Sequence, residues 1–234
     1  MPSSTPELTH NDTTLPSLDR LHEFHLQLDG REWTVRHAGM ALSHTDESAY
    51  LRARREKRND VPYGVTLWPS AIALAHELAA RAEAGELTKR HVLELGAGTG
   101  LPGIVAATSG AAQVVQTDYA EIALELCRRN GKSNHVQNIT YHQVDWTNWA
   151  DEERYGLIIG SDILYNEPMH SNLRRIFATN LAPGGCVLLS DPFRAVSLKF
   201  LESLEGEGWS VQFTRWNLGE PADPRPVGVF CLRR

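Results

Sequence analysis

Apolar positions along this chain follow two rhythms that take turns: short continuous runs of strand length, and longer stretches spaced three and four apart. The short runs fall at residues 91–95, 113–118, 139–144, 156–160 and 185–191. Helical spacing occupies residues 71–81, a segment opened by Pro102, residues 120–129 and residues 168–181. Pro102 suits a first helical turn, where its missing N–H costs nothing. Strands alternating with helices in this way predict a parallel sheet covered on both faces, with ligands at the C-terminal edge of its strands. The tail changes rhythm. Residues 197–206 read as a helix, and residues 209–216 and 226–232 as strands with only a loop between them, so these two pair antiparallel. Near the start, residues 24–28 and 31–35 alternate about Asp29-Gly30, the pattern of a β-hairpin. The fold class is therefore α/β, a doubly wound and mainly parallel sheet of seven strands with a C-terminal antiparallel hairpin and a small N-terminal hairpin.

Composition sharpens this picture in a few places. The 234 residues, 41% hydrophobic, suffice for one core, and residues 21–234 read as one domain whose first part, 21–60, is accessory. Residues 1–20 are rich in Ser, Thr, Pro and Asp and read as a disordered tail. A formal charge of -6 gives no general pull toward nucleic acid or anionic membranes. No window approaches ~20 apolar residues, and the start lacks the basic end and apolar run of a leader, so a cytoplasmic protein is expected, with a monomer as the default state. Cys127, Cys186 and Cys231 are widely spaced within apolar patterns and read as buried structural thiols. His22 and His25 stand three apart with no Cys or carboxylate cluster, so no metal is expected. The basic run at residues 52–58 is either a solvated face or a surface that meets an acidic partner.

The clearest chemistry lies where the run at 91–95 meets Gly96-Ala97-Gly98-Thr99-Gly100. Glycines remove the Cβ atoms that block a ligand's approach to the backbone, and the following helix leaves its first N–H groups to bind ligand oxygens. A dinucleotide fold prefers Gly-x-Gly-x-x-Gly, but the position three after Gly98 is Leu101, and the motif starts about ninety residues into the chain. A nucleoside carrying an amino-acid tail asks for a carboxylate facing the ammonium, N–H groups facing the carboxylate, and an acid for the ribose diol. Glu94, the turn from Gly96 to Gly100, and Asp118 offer these. Asp145 can accept the exocyclic amine of an adenine, and Trp146 can stack on its ring, a contact worth ~1 kcal/mol by analogy with aromatic pairs. S-adenosyl-L-methionine meets each demand.

These motifs carry a resemblance. The stretch Glu94-Leu95-Gly96-Ala97-Gly98-Thr99-Gly100, Asp118 closing the next strand, and the antiparallel end resemble the class I, seven-stranded S-adenosylmethionine-dependent methyltransferases, which are Rossmann-like. Leu67-Trp68-Pro69-Ser70, Asp145-Trp146 and Gly160-Ser161-Asp162-Ile163-Leu164-Tyr165 resemble methyltransferase family 16, which contains many protein lysine methyltransferases and an arginine-directed member. The resemblance runs from about residue 24 to the C-terminus. It implies that Trp68, Gly96, Ala97, Gly98, Asp118, Trp146 and Ser161 line the cofactor site. It also places Asp162 and Tyr165 on the family's Asp-x-x-Tyr/Phe signature at the mouth of the substrate channel. The activity implied is methyl transfer to a nitrogen of a protein substrate, a lysine side chain. Transfer to a small-molecule amine or heteroaromatic nitrogen stays open, as does a catalytically silent cofactor-fold protein that acts as a binding or chaperone-like partner.

In such a reaction Asp162 is expected to orient the incoming nitrogen, and Tyr165 to shape and desolvate the channel. Their structural alternative is an acid capping the helix after a buried strand. Trp68 either caps the core or meets the ligand. Residues 191–194, Asp-Pro-Phe-Arg, follow the fifth strand at the same edge and read equally as a turn with a surface arginine or as a substrate contact.

Overall fold

The computed structural model describes residue 18 and residues 21–28, 30–40, 63–219 and 224–234. Three expectations therefore lie outside the described residues: nearly all of the tail at 1–20, Asp29 of the hairpin turn, and the basic run at 52–58.

Among the described residues the strands are β1 His22–Leu28, β2 Arg31–His37, β3 Gly39–Met40, β4 Thr66–Leu67, β5 His91–Leu95, β6 Gln113–Asp118, β7 Ile139–Gln143, β8 Tyr155–Ser161, β9 Leu181–Asp191, β10 Ser210–Leu218 and β11 Arg225–Arg233. The helices are α1 Pro69–Glu83, α2 Leu101–Thr108, α3 Glu121–Ser133, α4 His170–Asn180 and α5 Ala195–Gly206. Seven strands form the main sheet in the order β10-β11-β9-β8-β5-β6-β7. Strands β5 to β9 pair parallel; β11 lies antiparallel between β9 and β10. Strand β5 pairs with both β6 and β8, so the sheet reverses its winding there, and the crevice above that reversal is where this architecture binds ligands.

Helix and strand periods explain the two layers of the core. Val92, Val114, Leu157, Ile159 and Leu188 turn to one face and meet α1, α2 and the N-terminal hairpin. The alternate positions Leu93, Leu95, Ile158, Val187 and Leu189 turn to the other and meet α4 and α5. No helix among the described residues is long and apolar enough to cross a membrane.

Two elements differ from the sequence pattern. Helix α3 runs on to Ser133, past Asn130-Gly131, a pair that reads as a stop signal. The glycine there answers to packing rather than to a turn: a Cβ would come 2.5 Å from Tyr141 Oη. Strand β9 starts at Leu181 directly after α4, four residues earlier than the apolar run, and its register against β8 shifts between Tyr155 and Leu157. Such an irregularity lets the glycine pair at 184–185 sit inside a strand. The crossover from β7 to β8, where the sequence shows no helical spacing, carries only a 3₁₀ turn, Trp146–Asn148.

Candidate active site

The ends of β5, β6 and β8 and the entrance of α1 enclose a cavity of about 510 Å³. Gly96, Ala97 and Gly98 form its floor, Asp118 a side wall, and Asp145 and Trp146 one end. Ser161, Asp162 and Tyr165 form the opposite end, and Trp68 stands at the entrance of α1. One space thus joins these ten positions. Glu94 and Gly100, also expected in the site, are not on its walls.

The floor needs glycine for conformational and steric reasons. Gly96, Gly98 and Gly100 have φ of 65°, 56° and 80°, values that side chains rarely adopt. At Gly96 a Cβ would meet Ile163 Cγ2 at 2.9 Å and Trp146 at 3.7 Å, so a larger residue would intrude into the space the indole faces. Three consecutive carbonyls of the turn are drawn away from the cavity by side chains behind it. Cys127 Sγ donates to Gly98 O at 3.2 Å, Asn130 Nδ2 to Thr99 O at 2.8 Å, and Gln116 Nε2 to Gly100 O at 3.0 Å. Helix α2 then begins from Gly100, which supplies no side-chain cap of its own; the carboxyl that meets its first turn comes from Glu94.

Glu94 occupies a different place from the one expected of it. It is 1% exposed and lies beneath the turn, where Gln116 Nε2 donates to its Oε2 at 2.7 Å and the Gly103 N–H donates to the same carboxyl group. The register explains the pairing, since Glu94 and Gln116 are direct neighbours across β5 and β6. Gly103 makes room for it: a Cβ there would sit 2.3 Å from Glu94 Oε2. Burial raises the Glu94 pKa to about 8, opposed by the two hydrogen bonds. The carboxyl braces the first turn of α2 from behind and does not line the cavity.

Asp118 is buried at the end of β6, with Oδ2 accepting the Gly98 N–H at 3.0 Å and Oδ1 accepting the Ala120 N–H at 2.9 Å. Burial raises its pKa, and these backbone donors oppose the rise. A carboxylate offers about four lone-pair sites, so acceptor capacity remains for a pair of adjacent hydroxyls. Asp145 accepts the Thr147 N–H at 2.8 Å, which holds its carboxylate below the usual range and available as an acceptor. These features fit a nucleoside with an amino-acid tail: a diol acceptor, an amine acceptor beside an indole, and a glycine floor that a ligand can approach closely.

The far end of the cavity is built around ion pairs. Asp162 has φ of 59° and donates its N–H to Ser190 O at 2.8 Å, so a left-handed residue is pinned to β9. Its carboxylate, only 9% exposed, pairs with the Arg194 guanidinium. Arg194 is anchored in turn by Asp191, at 3.2 Å through the guanidinium and at 2.7 Å through its backbone N–H. Asp191 is fully buried and also accepts from Ser197 Oγ at 2.6 Å. Of the two readings of this segment, the surface turn gives way: Arg194 is part of the cavity wall. Tyr165, 40% exposed, stands at the mouth with Asn166 and Met169. Tyr119, 74% exposed, also borders the cavity and was not singled out from sequence. Its position directly after the acid that ends β6 was the available signal. His170, close in sequence, instead bonds Leu164 O at 2.9 Å and packs on Phe200.

Against known proteins, a family model described as lysine methyltransferase matches residues 45–207. Histone-arginine methyltransferase METTL23 of Xenopus laevis is 38% identical over 109 residues, 44% of this chain and 45% of that protein. Protein N-lysine methyltransferase METTL21A of Xenopus tropicalis is 35% identical over 133 residues, 55% of this chain and 60% of that protein. The matched stretch spans about half the length of these curated relatives. Among solved structures, the N-methyltransferase NodS from Bradyrhizobium japonicum, in complex with S-adenosyl-L-homocysteine, superposes with a TM-score of 0.58 at 18% identity, covering 79% of this chain and 97% of that one. That likeness concerns the fold.

Proposed function

Because this chain belongs to the lysine methyltransferase family whose model spans residues 45–207, we propose that it is an enzyme that transfers a methyl group from S-adenosyl-L-methionine to a nitrogen of a protein substrate, a lysine side chain. The observation that carries this is the single cavity joining the glycine floor, Asp118 and Trp146 at one end to Asp162 and Tyr165 at the other. When bound, the cofactor supplies a methyl group already activated on a sulfonium.

The chain's own part is binding, orientation and exclusion of water. Asp118 accepts hydrogen bonds from a ribose diol, Asp145 from an adenine amine, and Trp146 offers a stacking face. Ser161 and Trp68 close the sides of the same space. At the acceptor end, a lysine amine with an ordinary pKa of about 10.4 must lose its proton to attack. A lone carboxylate there would hold the amine as an ammonium. Asp162, paired with Arg194, does so less, yet it still presents an oxygen that orients the nitrogen. Tyr165 and Met169 narrow the mouth and strip water from the entering chain.

An arginine nitrogen is the second reading, and the similarity to a histone-arginine methyltransferase favours it. The same proposal describes a monomer that works in the cytoplasm without nucleic acid. Three free, buried cysteines suit a reducing compartment. Calorimetry with S-adenosyl-L-homocysteine, then transfer of labelled methyl to a cell lysate and a digest to locate the label, tests the proposal. Label on lysine in protein bands is expected. Label on arginine selects the second reading, label on small molecules alone overturns the protein acceptor, and binding without transfer points to a silent cofactor-fold protein.

A further inference from the structure

The N-terminal hairpin lies behind the cavity, and its docking is unusual. Strand β2 has one edge covered by β1 and the other turned toward α3. No strand pairs with that second edge among the described residues; two asparagine side chains, one helical turn apart, take its place. Asn134 Oδ1 accepts the Thr34 N–H at 3.0 Å while its Nδ2 donates to Thr34 O at 2.6 Å. Asn130 Oδ1 accepts the Arg36 N–H at 2.8 Å while its Nδ2 donates to Arg36 O at 3.0 Å. A side-chain amide carries the same donor and acceptor as a peptide, so each asparagine reproduces one rung of a β-ladder.

The two rungs are not equivalent. Asn134 spends its remaining donor on Asn130 O, within its own helix. Asn130, fully buried, spends its own on Thr99 O, the middle carbonyl of the glycine turn. A single amide therefore ties the backbone of β2 to the backbone that forms the cavity floor.

We propose that Asn130 is a positioning residue for the cofactor, and that through it the N-terminal hairpin is a working part of the cofactor site. This rests on the proposed cofactor. Turn and hairpin share one hydrogen-bonding group, so ordering one orders the other, and the linkage is reciprocal. Ligand binding at the turn protects β2, a strand that does not line the cavity. Loosening the hairpin at the Asn130 rung weakens the ligand.

Amide hydrogen exchange with and without S-adenosyl-L-homocysteine tests this on the full chain. In the wild type, ligand is expected to slow exchange in residues 96–101 and also in residues 31–37. Asn130→Asp keeps the acceptor for the Arg36 N–H but replaces the donor to both Arg36 O and Thr99 O with an oxygen. It is expected to raise the calorimetric Kd roughly tenfold and to uncouple the two segments, so that ligand protects the turn and not β2. Asn134→Ala removes the other rung without touching the turn and is expected to leave Kd within about threefold, well short of the coupling carried through Asn130. Protection of 96–101 with no change at 31–37 in the wild type overturns the linkage even if no variant folds, and so does equal weakening by the two variants. Absence of any binding by the wild type overturns the cofactor reading itself, a result distinct from both.

Discussion

Replacing Glu94 with glutamine should change how the protein's stability depends on pH. The folded-state pKa is about 8 against an ordinary 4.5, because burial disfavours the charged form. The folded chain therefore holds a proton at Glu94 that the unfolded chain releases above about pH 4.5. Stability is then lost as pH rises, starting above the unfolded value and complete once pH passes the folded one. The gap between the two values, at about 1.4 kcal/mol per pH unit, sets the loss at several kcal/mol. Glutamine keeps an oxygen for the donors of Gln116 and Gly103 and cannot ionise. It also brings a donor to a buried pair in which Glu94 Oε1 and Gln116 Oε1 both lack partners. Urea unfolding followed by tryptophan fluorescence, at intervals from about pH 5 to about pH 9, measures the effect. The two proteins should be within about 1 kcal/mol of each other at the acidic end, and the variant should be several kcal/mol the more stable at the alkaline end. A difference that stays constant across the range would show that Glu94 is ionised in the fold and refute the reasoning.

Other consequences concern the site. Asp162→Asn and Tyr165→Phe should each lower kcat on the true acceptor, Asp162→Asn by roughly tenfold or more, while calorimetric affinity for S-adenosyl-L-homocysteine stays near wild type; full turnover in both would remove their assigned roles. Asp118→Ala should weaken that affinity by at least tenfold through loss of a charge-assisted acceptor, and Trp146→Ala by roughly five- to tenfold through loss of about 1 kcal/mol of stacking; unchanged binding in both would move the nucleoside elsewhere.

Much of the frame was legible because it follows from period. The alternation of apolar runs with helical stretches located β5, β6, β8 and β11, and the acid closing β6 marked the sheet edge on which Asp118 lies. What escaped was set by contacts distant in sequence. Glu94 was read as an edge residue, yet it shares a face of β5 with Val92 and points toward α2, as strand alternation alone dictates. Arg194 reaches Asp162 only because two left-handed residues, Asp162 and Phe193, turn their loops toward each other, and no local pattern announces positive φ at such side chains. The asparagine rungs behind β2 join residues nearly a hundred positions apart, and the Asn-Gly pair that supplies one of them reads locally as the end of a helix.

The thiol behind the glycine floor makes the cavity reportable from within. Cys127 is buried, and burial followed by the nearby Glu94 and Asp118 carboxyls holds its ionisation far above the usual range, so in the closed fold it is chemically inert. A thiol reagent reaches it only when the layer between α3 and the turn opens, and the rate of labelling then counts those openings. Since that sulfur holds the Gly98 carbonyl, anything that steadies the turn slows the label, and a label once attached keeps the turn from re-forming. A slow covalent modifier that leaves the occupied protein intact while inactivating the empty one is the behaviour this placement of sulfur dictates.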